Sequence, residues 1–331
     1  MDNPYRKSKK LKKVLSSLRR SVRLLTMLSC IGMFLVLVAG TIVTKLDAGR
    51  GCGDDWPLCN GKFIPAYTLE SLIEYNHRFI SGIVGILVLL TFIVVRRHLK
   101  ARTDAVFYAG SALTLTVVQA LLGAMAVKWP QSDAVLALHF GISLLAFTST
   151  LLLVLAVRRQ NDQPAMDTRY TLGYRTLVWG TIVYCYIVVY LGAYVRHTES
   201  FGGCIGWPLC NGQLIPELSG GTGIVFIHRV AALIIFIMIA ILTWLTMRRP
   251  GMPVHMRKAA VTACAAVLMQ IISGALVTAA LSNEDLYVFT ALIHTVIISA
   301  LFSVLCYMGI EVWRSEKAVV TGRAETRTSM D

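Results

Sequence analysis

The sequence is short of charge for its length. Only 15% of its 331 residues are Asp, Glu, Lys or Arg, whereas 56% are hydrophobic. A soluble globule of this size needs more polar surface than that to face water. The shortage excludes an ordinary soluble protein and indicates that lipid surrounds most of the chain.

The sequence also lacks a basic, aromatic-rich patch, although its formal net charge is +14. The Lys and Arg residues fall between apolar stretches and do not cluster on one domain, so nucleic acid is not expected as a partner. No small-residue cleavage site follows the basic segment from Arg6 to Arg23. We therefore interpret that segment as the start of a retained first helix and not as a signal peptide.

Eight apolar stretches are long enough to cross a bilayer. They cover approximately residues 22–44, 75–95, 105–127, 134–157, 173–195, 223–247, 258–281 and 287–312. The segments on one side of these stretches hold 25 of the 32 Lys and Arg residues. By the positive-inside rule, both termini lie in the cytoplasm, and the loops after the first and fifth spans face outward.

The chain contains an internal duplication. The segment from Cys52 to Pro65 matches the segment from Cys204 to Pro216, and both contain Trp-Pro-Leu-Cys-Asn-Gly. Each copy has four helices, an even number, so both copies enter the membrane in the same orientation. The sequence therefore predicts an all-α membrane protein of two four-helix bundles, related by a pseudo-twofold axis along the membrane normal. The predicted parts are a basic cytoplasmic N-terminus (1–21), a first half (22–157), a cytoplasmic linker (158–172), a second half (173–312) and a cytoplasmic tail (313–331).

Four histidines occupy matching places near the outer ends of the even-numbered helices. They are His77, His139, His228 and His294. An ionisable side chain inside a membrane normally faces the bundle interior with a partner, and neutral imidazole is a common ligand of iron. A hydrogen bond to a neighbouring helix explains any single one of them equally well. Duplication of the whole pair favours two ligand pairs, and their wide sequence spacing suits a flat haem between helices better than zinc.

One carboxylate distinguishes the two halves. Glu74 precedes His77 by three residues, which places both side chains on one helix face, whereas Val225 stands at the equivalent position of the second half. Proton-coupled chemistry benefits from a carboxylate beside the reacting group, and a site that only carries electrons does not need one. We therefore assign catalysis to the first half. A Glu near a helix end can also be simply hydrated.

Two cysteine pairs lie in the outward-facing loops, where disulfides persist. They are Cys52 with Cys59, and Cys204 with Cys210. Each pair is expected to form a short local bridge. Such a bridge can tighten its loop, or it can exchange electrons or thiols.

An arginine follows the first histidine of each half. Arg78 and Arg229 stand at the outer interface, where a guanidinium is a candidate to contact a haem propionate. Ordinary snorkelling of the side chain toward water explains their place equally well.

These residues together resemble the haem A synthase family, in its bacterial, cysteine-pair-containing form. The resemblance rests on Glu74-Tyr-Asn-His77-Arg78, on the later His139 and on the cysteine-bracketed Trp-Pro-Leu-Cys loops. It covers essentially all eight helices. Each motif alone is weak, but their combination is specific.

The resemblance implies oxidation of the C8 methyl group of haem O to a formyl group, which yields haem A for terminal oxidases. It implies that Glu74 is catalytic and that His77 and His139 are the axial ligands of the substrate haem. His228 and His294 would then ligate the iron of a haem b cofactor. The implied partners are the bilayer of a bacterial cell membrane, a haem O synthase, and an electron acceptor or donor in the membrane.

Three other functions are open from the residues. A non-catalytic dihaem b-type cytochrome predicts two equivalent sites, which the difference between Glu74 and Val225 disfavours. A haem chaperone predicts exchangeable binding and an unaltered macrocycle. A thiol oxidase would favour Cys-x2-Cys spacing, whereas Cys52 and Cys59 enclose six residues.

Overall fold

The computed structural model describes residues 4–64, 67–129, 132–159 and 170–328, with side chains from residue 20 to residue 316. Most of the predicted linker, residues 160–169, lies outside the described residues. The helices are α1 (Pro4–Lys45), α2 (Leu69–His98), α3 (Thr103–Lys128), α4 (Asp133–Arg158), α5 (Leu172–His197), α6 (Gly220–Arg248), α7 (Val254–Ala279) and α8 (Glu284–Thr328), with one 3-10 turn at Ser200–Gly203. Each α-helix contains a stretch long and apolar enough to span a bilayer. The predicted all-helical, multi-span fold is therefore confirmed for the described part of the chain.

The outside of the helices carries large apolar side chains. Ile83 and Ile86 of α2 are exposed, as are Ile237 and Ile241 of α6. A contiguous apolar surface of this kind would aggregate in water. Within a bilayer it faces acyl chains of similar polarity, as expected for a multi-pass protein of the cell membrane.

Helix α2 begins earlier than the apolar pattern predicts. The expected span starts at residue 75, but the helix starts at Leu69 because Thr68 caps it, its hydroxyl accepting a hydrogen bond from Ser71 N–H at 3.3 Å. Hydropathy does not detect this polar first turn. As a result, Glu74 and His77 both lie inside the helix and not at its end.

The described residues divide into two compact units. The first unit comprises Met1–Trp129 and Ile142–Gln160, and the second comprises Pro130–Gly141 and Asn161–Asp331. Helix α4 therefore contributes residues to both.

Polar bonds between helices tie the first unit together. Helix α1 packs on α2, and α2 packs on α3. The hydroxyls of Ser29 and Thr91 lie 2.8 Å apart and join α1 to α2 inside the core. The side chains of Gln119 and Ser143 hydrogen-bond and join α3 to α4. Such bonds are the expected means of helix association where the surrounding lipid is as apolar as the core.

In the second unit, α5 packs on α6 and α8, while α7 packs on α6 and α8. Phe302, Leu301 and Leu305 are fully buried on α8. At one end of α5, the Tyr174 hydroxyl lies 2.8 Å from Thr246 Oγ1 of α6. The last of these contacts joins the beginning of α5 to the end of α6, at the opposite ends of both helices from the loop that carries Cys204 and Cys210.

Candidate functional site

Two similar loops precede the helices that carry His77 and His228. The first disulfide loop is residues 46–68, and the second disulfide loop is residues 198–219. The Cys52–Cys59 and Cys204–Cys210 bonds are both formed, and all four cysteines are buried. Both predicted disulfides are thus present.

A tight turn closes each disulfide loop. In both loops the sequence Asn-Gly adopts positive φ angles, which are 49° and 73° at Asn60 and Gly61, and 53° and 76° at Asn211 and Gly212. Two successive residues of positive φ form the turn that Asn-Gly favours between paired backbone segments. The need for two successive positive φ angles therefore explains why both loops contain Asn-Gly.

The next helix anchors each disulfide loop through matched hydroxyls. Ser71 Oγ donates to the carbonyl oxygen of Gly51. Thr222 Oγ1 donates to the carbonyl oxygen of Gly203 at 2.9 Å. The internal duplication therefore extends to the contacts that hold the loops in place.

The two arginines are a second matched pair of anchors. Arg78 Nη1 donates to the carbonyl oxygen of Leu58 at 2.8 Å, and Arg229 Nη1 donates to the carbonyl oxygen of Leu209 at 3.1 Å. In both halves the guanidinium binds the backbone of its own disulfide loop. Contact with a haem propionate stays a prediction.

Glu74 is buried and bound at both carboxylate oxygens. It is 4% exposed. Its Oε2 accepts a hydrogen bond from Cys52 N–H at 2.8 Å, and its Oε1 pairs with Arg78 Nη2. The idea of a simply hydrated Glu does not fit this burial. At the equivalent place Val225 is buried in an apolar cluster with Cys204 and Cys210.

A glycine lies against the first histidine of each half. A Cβ added at Gly40 of α1 would stand 3.1 Å from His77 Cε1, and one added at Gly192 of α5 would stand 2.9 Å from His228 Cε1. Both distances are shorter than ordinary van der Waals contact. Only a residue without a side chain lets each imidazole occupy its place. The sequence analysis missed this pair, although its offset of 152 residues equals that of Cys52 and Cys204.

The hydrogen bonds around His294 determine which ring nitrogen carries the proton. Ser273 Oγ donates to the carbonyl oxygen of Gln270 at 2.9 Å and lies 2.8 Å from His294 Nδ1. Because the hydroxyl proton is already used, Oγ accepts from Nδ1–H. The lone pair therefore lies on Nε2, which accepts from the Gln270 side chain at 2.9 Å. A hydrogen bond of this kind on the far nitrogen is the usual support for a metal-binding histidine.

The four histidines are placed on the helices that the sequence predicted, and all are partly buried. His77 belongs to the first unit with Glu74, Arg78 and Gly40, while His139, His228 and His294 belong to the second unit. Partly buried imidazoles, two of them with a glycine close beside the ring, fit the ligation of haem iron, and at His294 iron would replace Gln270 as the partner of Nε2. That they ligate haem stays a prediction.

Comparison with known proteins gives consistent matches. The profile of the family described as "COX15-CtaA: Cytochrome oxidase assembly protein" matches residues 64–306. A protein named "Heme A synthase" from Alkalihalophilus pseudofirmus is 38% identical over 295 residues, which cover 88% of this chain and 97% of that protein. One of the same name from Symbiobacterium thermophilum is 38% identical over 308 residues, covering 91% and 99%. Another from Lysinibacillus sphaericus is 40% identical over 292 residues, covering 86% and 93%.

Proposed function

This chain belongs to the COX15-CtaA family of cytochrome oxidase assembly proteins, and we propose that it converts haem O into haem A. The reaction oxidises the C8 methyl group of haem O to a formyl group for the assembly of terminal oxidases. It takes place in the bacterial cell membrane, which eight membrane-spanning helices suit. The protein is thus a haem-modifying oxidoreductase.

The first half is proposed to hold the substrate and the second half a cofactor. His77 and His139 are the proposed axial ligands of haem O, and His228 and His294 those of haem b. The observation that carries this assignment is the buried, charge-paired Glu74, whose counterpart Val225 is buried among apolar groups. A carboxylate is costly to bury unless it is paired, so its retention beside one histidine only indicates a chemical role there.

Glu74 is the proposed catalytic group. Haem b, when bound, supplies a one-electron redox centre. Oxidation of a methyl group removes electrons and protons, and positive charge develops as it proceeds. A carboxylate of fixed direction in a site of low dielectric constant stabilises that charge without reorganising, and it can accept a proton.

The proposed setting follows the sequence. Two pseudo-twofold four-helix bundles have both termini in the cytoplasm, and both disulfide loops face outward. A haem O synthase delivers the substrate, and a membrane carrier exchanges electrons with haem b. The excess of Lys and Arg on one side and the duplicated loop anchors support this arrangement.

The test is the haem extracted from membranes of haem-O-producing cells with and without this protein. We expect haem A, identified by mass and by the pyridine haemochrome spectrum, only in membranes that contain the protein. Glu74→Ala should abolish haem A while leaving haem b in the second half. Unmodified haem O or haem b alone, beside a working positive control, would instead indicate a cytochrome or a chaperone. Loss of all haem from Glu74→Ala would contradict two separate sites.

A further inference from the structure

We propose that Arg78 is a positioning residue for Glu74, holding the carboxylate in one direction by tying it to the first disulfide loop. This inference rests on the proposed function, because it concerns how the same site is organised. Arg78 is not proposed to touch the reacting atoms. It acts through Glu74.

Arg78 lies one helical turn after Glu74 and uses two arms of its guanidinium for two tasks. Nη2 pairs with Glu74 Oε1, while Nη1 donates to the carbonyl oxygens of Asp55 at 2.7 Å and Leu58 at 2.8 Å. The side chains of Arg78 and Glu74 are only 12% and 5% exposed. Because a guanidinium is planar and rigid, fixing one arm on the loop fixes the direction of the other.

The first disulfide loop also binds the other carboxylate oxygen of Glu74. Cys52 N–H donates to Oε2 at 2.8 Å, and Cys52 is the first residue of the disulfide. Both carboxylate oxygens thus accept charge-assisted or backbone hydrogen bonds from groups that the loop orients. Loop, arginine and carboxylate form one rigid assembly.

The second half supplies a natural comparison. Arg229 donates to the carbonyl oxygens of Leu209 and Cys204, each at 3.1 Å, and its Nη2 lies 3.4 Å from Thr278 Oγ1. With Val225 at the equivalent of Glu74, Arg229 anchors its disulfide loop and contacts a hydroxyl of α7 where Arg78 contacts a carboxylate. Arg78 performs the same anchoring and in addition pairs with a carboxylate.

Loss of Arg78 should therefore slow the conversion of haem O without changing how well haem O is bound. Without Arg78, Glu74 retains the Cys52 N–H bond but loses its charged partner, so its side chain can adopt another rotamer. A misplacement of about 1 Å in a catalytic group can lower a rate by roughly a hundredfold. Retention of haem O should change little, because the proposed ligands His77 and His139 are untouched.

The experiment uses the full-length protein in membranes of haem-O-producing cells, which supply the electron carrier, and it measures separately the haem A formed and the haem O retained by the protein. The variants are Arg78→Gln, Arg78→Lys and the matched loop variant Arg229→Gln, each with and without Glu74→Asp. We expect Arg78→Gln to lower conversion at least about tenfold and to retain haem O within about twofold of wild type. Arg78→Lys should recover part of the loss, because an ammonium group still pairs with a carboxylate.

The decisive measurement is the coupling between the substitutions at residues 74 and 78. In the Arg229→Gln background, Glu74→Asp should lower conversion by the same factor as in wild type, since Arg229 anchors the second disulfide loop and Glu74 is bound to the first. In the Arg78→Gln background, adding Glu74→Asp should lower conversion further by less than about twofold. If Arg78→Gln leaves no measurable rate, Arg78→Lys is used as the background instead.

Four results would overturn the inference. They are an equal Glu74→Asp factor in both arginine backgrounds, a fall in retained haem O that matches the fall in conversion, an Arg78→Lys protein as inactive as Arg78→Gln, and an Arg78→Gln protein as active as wild type. The second of these would make Arg78 a propionate contact. A wild-type protein that forms no haem A overturns the proposed function itself, and a working wild type beside an equally active Arg78→Gln overturns only this inference.

Discussion

Two glycines constrain this site as closely as the residues that carry its chemistry. Gly40 and Gly192 stand where any side chain would press on the ring of His77 or His228. If these imidazoles ligate haem iron as proposed, a shift of either ring by a few tenths of an ångström changes the distance and angle that its nitrogen offers to the metal. The two positions are related by the internal duplication, so one requirement is met twice.

We predict that Gly192→Ala lowers the haem b retained by the purified protein at least about fivefold, because the new methyl group meets His228 at contact distances that real Cβ atoms rarely show. The control is Gly180→Ala on the same helix, where a Cβ meets nothing within 4 Å. That variant should retain haem b as wild type does. The measurement is the haem-to-protein ratio from the absorbance spectrum, and equal ratios in the two variants would contradict the prediction.

At the scale of whole elements, the disulfide loops and the helix ends carry the polar structure of the chain. Each disulfide loop is closed by a covalent bond and held to the following helix by backbone contacts from a hydroxyl and a guanidinium. Four further cysteines lie on the helices and are free. The loops therefore depend on oxidation in a way that the helices do not.

Counting thiols tests this division. We predict that alkylation of the denatured, unreduced protein modifies the four free cysteines, and that prior reduction raises the number to all eight. The mass of the intact protein gives both numbers. Eight modified cysteines in protein taken directly from oxidising conditions would show that neither disulfide is formed.

The bond between α5 and α6 gives a prediction about stability. Thr246 Oγ1 donates to the carbonyl oxygen of Leu242 at 2.7 Å, so the Tyr174 hydroxyl must be the donor in its 2.8 Å contact with Thr246. Tyr174→Phe removes that donor and leaves only an acceptor unpaired. The free energy of unfolding in detergent should fall by about 0.6 kcal/mol, as is common for such bonds in membranes.

Tyr67→Phe is the matched control for that measurement, because the Tyr67 side chain is 89% exposed. It should leave the free energy of unfolding unchanged within error. A loss of more than about 2 kcal/mol from Tyr174→Phe would mean that the ring itself had repacked.

At the scale of the whole molecule, charge and duplication predict how the protein is oriented in the membrane. The excess of Lys and Arg on one side of the spans predicts cytoplasmic termini, and four helices per half place both disulfide loops on the opposite side. Oxidising conditions there suit the two disulfide bonds. Topology and loop chemistry are thus consistent.

Reporter fusions test the orientation directly. We predict that a fluorescent protein joined after Asp331 fluoresces, because such proteins mature in the cytoplasm. Alkaline phosphatase joined after Lys62 should be active, since it needs an oxidising compartment, and the same enzyme joined after Lys100 should be inactive. The reverse pattern would invert the proposed topology.

The sequence by itself determined the membrane class, the eight helices, the duplication and the identity of the candidate ligands. These depend on hydropathy, on charge distribution and on repeated motifs, which are properties of composition and of spacing along the chain. The asymmetry between Glu74 and Val225 was equally visible, because it needs only an alignment of the two halves. The Asn-Gly dipeptides of the disulfide loops are also a local turn signal, although the sequence analysis used them only to recognise the duplication.

Only the tertiary structure decided what these residues touch. It placed the carboxylate of Glu74 between Cys52 N–H and the guanidinium of Arg78. It also showed that Arg78 donates to the loop backbone and that Gly192 lies next to the ring of His228. The pair of Glu74 with Arg78 agrees with their spacing of four residues on one helix. The other contacts join residues that no hydropathy period relates, and they arise because a loop folds back on a helix or because two helices approach closely. Backbone groups are their partners in most cases, and every residue type carries the same backbone, so the sequence holds no direct signal for them.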